Sequence, residues 1–273
     1  MQTAKQGDQT STLLFDTGPT ESIFTSNTKR LTPALENVSR IHLSHWHRDH
    51  SGGMLAAVKM IQDAKSSSTS PSIGKNKDVV VDLHPNRPIY RGVATPMGTL
   101  SLEADPSFEE IEKAGGVVDK HDEAHEVLEN RFLISGEIPR VVEYEHGIKW
   151  GVRFVEGEWV PDELVMDERF VVCHVKDKGL VLFTGCSHAG VVNCAKHALE
   201  LVEHSIPLYA IVGGYHLADA PEEQIKAAVR DLKELGVKVL MAGHCTGWRA
   251  KFEIERQMEG ALVPSFVGIK TVI

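Results

Sequence analysis

The chain has 273 residues, 42% hydrophobic and 25% charged, an ordinary globular balance with ample length for one sizeable α/β domain. Its net charge is −9 and no Lys/Arg cluster is long enough to build a basic face, which argues against nucleic acid as a partner. The polar N-terminus MQTAKQGDQT lacks the apolar core of a signal peptide, and no apolar run approaches the roughly 20 residues that span a bilayer, so a soluble cytoplasmic setting without a membrane partner is expected.

Along the chain, short β-branched or aliphatic runs alternate with helical patterns. TLLFD (12–16), RIHLS (40–44), VVVDL (79–83), RFVVCHV (169–175), GLVLFTG (179–185), PLYAIVG (207–213) and VKVLMAG (237–243) read as strands. Amphipathic helices fit at 54–64, 108–114, 190–204, 221–235 and 248–259. The segment 221–235 starts at Pro221 with two glutamates and stops at Gly236. Residues 65–78, KSSSTSPSIGKNKD, carry no apolar pattern and read as a mobile surface loop. With no internal repeat, one domain over 1–273 is the simplest assignment.

Four of these strands end in loops that carry histidine. Strand 40–44 runs into His45, 179–185 into Cys186 and His188, 207–213 into Gly214 and His216, and 237–243 into His244. Strand-end loops of layered α/β folds are where sites are assembled, so these side chains are candidates to converge. The four cysteines, Cys173, Cys186, Cys194 and Cys245, show no CxxC pairing, so neither a zinc knuckle nor a disulfide framework is indicated.

The densest cluster is HWHRDH, residues 45–50. His45 and His47 are two apart, so in extended backbone they point the same way and can grip one metal. Asp49 and His50 follow where the chain must turn through Ser51-Gly52-Gly53, which swings this second pair toward a neighbouring position. Two imidazoles with a third ligand make one zinc site, and a carboxylate and an imidazole with another make a second.

HWHRDH resembles the HxHxDH signature of the metallo-β-lactamase superfamily, whose fold is a four-layer αββα sandwich. LLFDTG (14–18 and the residue before), FTGCSHAGVVN (183–193), IVGGYHL (211–217), AGHCTG (242–247), LHPNRPIYR (83–91) and SGEIPR (135–140) are similar to one subgroup of metal-dependent hydrolases, which includes the dihydropterin–ribofuranosylaminobenzene phosphate synthase type. The resemblance implies that His45 and His47 bind a first metal, and Asp49 and His50 a second completed by His244. His188 is the candidate to complete the first, with His216 and His174 as rivals. Many binuclear relatives place a bridging aspartate where this chain has Cys186. That thiol either ligates metal as thiolate or is a small buried residue. Zinc is the expected cofactor, one ion or two, with iron and manganese compatible with the same donors. Asp16 either sits behind the site and fixes a histidine tautomer or caps the turn before Gly18-Pro19.

His84, Arg87 and Arg91 lie in a predicted loop after strand 79–83, where they contact a small-molecule substrate or are solvated charges. His216 is a candidate proton donor, and Asp49 a candidate to orient the nucleophile. HDEAH (121–125) misses the HExxH spacing and is expected to be a solvated helix face, and His197 and His204 surface residues. No Walker loop, GxGxxG or GxSxG is present in the sequence. The function implied is a metal-dependent hydrolase using a metal-bound hydroxide on a lactone, thioester or phosphoester. The alternatives are a pterin-type transferase on the same metal site and a non-catalytic metal-binding protein. Relatives of the subgroup carry a further strand or two before LLFDTG, including an EHG-type segment. The resemblance therefore implies a sheet edge left unpaired here, which favours a homo-oligomer.

Overall fold

The computed structural model describes residues 1–68 and 78–273, so most of the segment expected as a loop lies outside the described residues. The chain forms two compact units, Met1–Asp122 with Trp150–Pro161, and Glu123–Lys149 with Asp162–Ile273.

In the first unit β1 (Gln2–Gln6) folds back on β2 (Gln9–Phe15), and β3 (Val38–His42) and β4 (Val79–Leu83) follow in parallel. With β7 (Gly116–Lys120) the order is β1-β2-β3-β4-β7. The expectation of an unpaired edge beside β2 is therefore corrected. Residues 2–6 are the edge strand, and their largely exposed polar side chains suit an edge that faces water.

Helices cover this sheet: α1 (Glu21–Leu31), α2 (Arg48–Ser51), α3 (Met54–Ser67) and α4 (Phe108–Lys113). The side chains Val79, Val81 and Leu83 alternate along β4 onto one face. There they join Ala57, Val58, Ile61, Ile111 and Trp46 in one core. Burying each large side chain stabilises by roughly 1.5–3 kcal/mol. The helix α3 runs into the segment expected as a loop, ending at Ser67, and Lys65 is buried with its ammonium donating to the Asp78 carbonyl at 2.7 Å. On the opposite face of β4 the fully buried Asp82 accepts from Arg40 at 2.6 Å, and Arg40 also reaches Asp119 at 2.9 Å. A second, antiparallel sheet in this unit has the order β11-β10-β5-β6. It contains β5 (Tyr90–Thr95), β6 (Gly98–Ser101), β10 (Gly151–Val155) and β11 (Glu158–Pro161).

The second unit has a six-stranded sheet of β8 (His125–Val127), β9 (Phe132–Ile134), β12 (Val171–Val175), β13 (Gly179–Phe183), β14 (Leu208–Gly214) and β15 (Val239–Gly243), ordered β15-β14-β13-β12-β9-β8. The strands β13, β14 and β15 run parallel, connected through α5 (Val191–Leu201) and α6 (Glu222–Glu234), and α7 (Trp248–Gln257) follows. Leu180, Leu182, Ile211 and Leu240 of the strands share a core with Val192, Ala195, Val229, Leu232 and Ile254 of the helices.

The acidic segment HDEAH is not helical. The His121 N–H is taken by the Leu83 carbonyl at 3.0 Å, extending the ladder beyond β7, and His125 already opens β8. Among the described residues no helix is long and apolar enough to cross a membrane.

Candidate metal centre

In the first unit the candidate ligands lie on the loop that follows β3. Trp46 is fully buried and pins it: the indole N–H donates to the His84 carbonyl at 2.9 Å, and Arg91 donates to the Trp46 carbonyl at 2.7 Å. His45 and His47 flank this anchor, and Nε2 of His45 lies 2.9 Å from Nδ1 of His47. The convergence expected from their spacing is present. The His47 carbonyl then accepts from the His50 and Ser51 amides at 2.9 and 3.0 Å, which starts α2 and turns Asp49 and His50 away from the strand direction. Gly52 is needed at that turn, because an added Cβ would lie 1.9 Å from the Pro19 carbonyl oxygen.

Asp16, at the end of β2, organises the histidines. Its carboxylate accepts from the Ser44 amide at 2.8 Å, the Ser44 hydroxyl at 2.8 Å and His50 Nδ1 at 2.6 Å. Ser44 spends its single proton on Asp16, so its oxygen accepts from His45 Nδ1 at 2.9 Å. Nδ1 of both imidazoles thereby serves as a donor, which leaves Nε2 as the atom each can offer a metal. Of the two roles read for Asp16, the one behind the histidines is the one its bonds perform. Burial opposes charge on His50, but the carboxylates of Asp16 and Asp49 outweigh it and hold its pKa well above the ordinary imidazole value. Asp49 is half exposed, 3.4 Å from His50 Nε2.

In the second unit the candidate ligands lie on three loops at the ends of β13, β14 and β15. After β13, Ser187 takes a left-handed conformation (φ 59°) and its hydroxyl donates to the Gly214 carbonyl at 2.8 Å. The His188 and Ala189 amides donate to the buried Glu168 carboxylate at 2.9 and 2.6 Å. Burial raises the pKa of Glu168 despite those bonds. Cys186 is buried, and its Sγ lies 3.4 Å from Nδ1 of His244, which follows β15. The His188 and His216 rings meet edge to face at 4.5 Å between centroids. Burial lowers the pKa of His216, but its hydrogen bond to Cys245 and the nearby acidic groups give a net rise. The Cys245 thiol donates to the Cys186 carbonyl at 3.4 Å. Its pKa falls well below the usual thiol range, mainly through the Cys186 side chain.

Some expected roles are redistributed. Arg91 is not in a loop: it is buried on β5, and its guanidinium braces the Trp46 carbonyl. Arg87 donates to the Pro106 and Asp105 carbonyls, with its guanidinium 5.8 Å from the Trp46 ring centroid. His84 Nδ1 accepts from the Asn86 amide at 3.1 Å. These contacts place Arg87 and Arg91 against the backbone around Trp46 and Asp105; substrate contact by His84, Arg87 and Arg91 stays a proposal. His174 is exposed on β12, paired across the ladder with Leu180, and His197 pairs with Glu200 at 3.3 Å. Ser44, Glu168 and Cys245 were not foreseen, because a hydroxyl or carboxylate that serves a neighbouring backbone leaves no spacing signal. Only the position of Cys245, directly after His244, could have drawn notice.

The donors fit a divalent cation: imidazoles with fixed tautomers, an accessible carboxylate and a thiol are its usual ligands. No protein-family model matches the chain. It is 31% identical over 252 residues to the 7,8-dihydropterin-6-methyl-4-(β-D-ribofuranosyl)-aminobenzene-5'-phosphate synthase of Methanocaldococcus jannaschii, covering 88% of this chain and 76% of that one. An uncharacterized protein of the same organism is 26% identical over 238 residues, covering 87% and 80%. Among solved structures, Tm1679, a metal-dependent hydrolase of the β-lactamase superfamily, superposes with a TM-score of 0.75 at 24% identity, over 97% of this chain and 90% of that one. The chain belongs to the family of that dihydropterin-type synthase, and its fold is that of the metallo-β-lactamase proteins.

Proposed function

We propose that the chain is a metal-dependent enzyme that hydrolyses an ester-like small molecule, a lactone, thioester or phosphoester. The observation that carries this reading is the Asp16–Ser44 network, which presents Nε2 of both His45 and His50 beside the half-exposed Asp49. By family resemblance, His45, His47, Asp49, His50, Cys186, His188 and His244 are the proposed ligands for one or two ions. Zinc is preferred over iron or manganese because a thiol is in the set. A bound ion supplies Lewis acidity, polarising the substrate oxygen and easing the ionisation of water. Asp49, open to solvent, orients that water, and His216, with its raised pKa, protonates the leaving group.

A second reading, condensation of a pterin-like substrate with a second organic molecule, is supported by the name of the 31% identical relative. The same polarising site serves it, with Asp49 and His216 moving protons between two bound reactants. Product analysis separates the two. Purified protein is offered a lactone, thioester and phosphoester panel, then a reduced pterin alcohol with a phosphoribosylated aminobenzene. Hydrolysis that persists unchanged in His47→Ala in metal-free buffer would sink the first reading. The second fails if the paired substrates are never joined.

A further inference from the structure

Both partners of a thiol pair lie in the second unit, and neither the hydrolytic nor the condensing reading uses the pair as such. The Cys245 sulfur lies 3.4 Å from the Cys186 carbonyl oxygen. Gly214 leaves room beside it. A Cβ there would come within 2.7 Å of Cys245 Sγ and 3.4 Å of Cys186 Cα. The two sulfurs differ in access: Cys186 is buried at 4% exposure, whereas Cys245 is half-buried and reachable from solvent. The other two cysteines are elsewhere, Cys173 on β12 and Cys194 fully buried inside α5.

We propose that Cys186 and Cys245 form a redox-active dithiol that hydrogen peroxide closes to a disulfide. A half-buried sulfur beside a buried second thiol is an arrangement in which oxidation stops at a crosslink instead of climbing to sulfinic acid. Cys245 sulfur attacks the peroxide: an S–O bond forms, the O–O bond breaks, and the departing hydroxide takes the thiol proton to leave as water. Cys186 sulfur then attacks Cys245 sulfur. The S–S bond forms, the S–O bond breaks, and hydroxide leaves as a second water with the Cys186 proton. Two thiols are oxidised and one hydrogen peroxide is reduced. Closure removes the Cys186 thiol from His244 Nδ1, 3.4 Å away, and so alters a donor pair of the proposed metal centre.

The test uses the full chain as purified, and in parallel after chelator treatment, exposed to hydrogen peroxide at equimolar ratio. The expected result is loss of two of the four thiols, restored by dithiothreitol. Non-reducing tryptic mapping should join peptide 179–196 to peptide 239–249, with fragmentation placing the link on Cys186 and not on Cys194, which shares its peptide. Cys245→Ser should abolish that linked species. The proposal is overturned if neither preparation yields the linked peptides, if Cys245 accumulates as sulfinic acid without a crosslink, or if the link involves Cys173 or Cys194. Metal content, read separately, tests the proposed ligand set, so failure of one idea leaves the other standing.

Discussion

Asp16 shows how much of the proposed centre depends on a residue that offers no atom to the metal. It sits at φ +56°, a left-handed conformation that aspartate tolerates better than most residues, and its two oxygens collect three donors. Asp16→Asn puts an amide where a carboxylate must accept. Metal affinity should fall about 10–100-fold, as expected when a histidine loses its orienting partner. Competition titration against a chromophoric chelator measures this, and wild-type affinity would refute it. Arg91 separates scaffold from substrate contact. Arg91→Met leaves the Trp46 carbonyl without its donor, so stability should drop by about 1–3 kcal/mol while KM stays put. A raised KM at unchanged stability would reverse the assignment. Residue spacing in HWHRDH revealed the histidines, since alternation and turn residues act locally. It was silent on Arg91, whose burial depends on a strand pairing far away in the chain.

At the scale of elements, the segment around Glu145 is docked on the start of α5. The buried Glu145 carboxylate accepts from the Val192 and Asn193 amides at 2.9 and 2.8 Å, and Asn193 in return accepts from the Val141 and Val142 amides. Burial pushes the Glu145 pKa from 4.5 up to about 7, against those amide bonds and the charges of Lys196 and Arg140. The folded state therefore binds this proton more tightly than the unfolded chain. The stabilising contribution is fully present below pH 4.5 and is lost as pH rises through about 7. It amounts to roughly 3 kcal/mol at most. Denaturant unfolding of the wild type should show this decline. Glu145→Gln should flatten the slope in that window, starting about 1–3 kcal/mol lower because one amide oxygen replaces two acceptors. An identical pH slope in the variant would contradict the assignment. Core strands and helices were legible because their apolar periods are strong, as in β4, α3 and α6. The helix α1 was missed because it buries no residue and depends on its Thr20 cap, which accepts from the Ile23 amide at 3.2 Å. The sheet of β5, β6, β10 and β11 was missed because β6 is exposed throughout and carries no alternation.

For the whole molecule, the decisive quantity is the metal held per chain and its coupling to folding. Anything that binds only the native state stabilises it by mass action, about 2.7 kcal/mol when free zinc is 100-fold above its dissociation constant. Zinc should therefore raise the unfolding midpoint of chelated protein, and His47→Ala should lose most of that response. Plasma mass spectrometry of the wild type, His47→Ala and Cys186→Ala divides the remaining possibilities. Two zinc equivalents that fall in both variants would support a binuclear centre with thiolate ligation. One equivalent, retained in Cys186→Ala, would assign Cys186 to packing beside His244 and leave the imidazoles to do the holding. Protein that takes up no metal from supplemented medium, with a midpoint indifferent to zinc, would remove the basis of both catalytic readings. The histidine and carboxylate donors would then have to be explained as a buried polar network, which the Asp16–Ser44–His45 bonds alone already sustain.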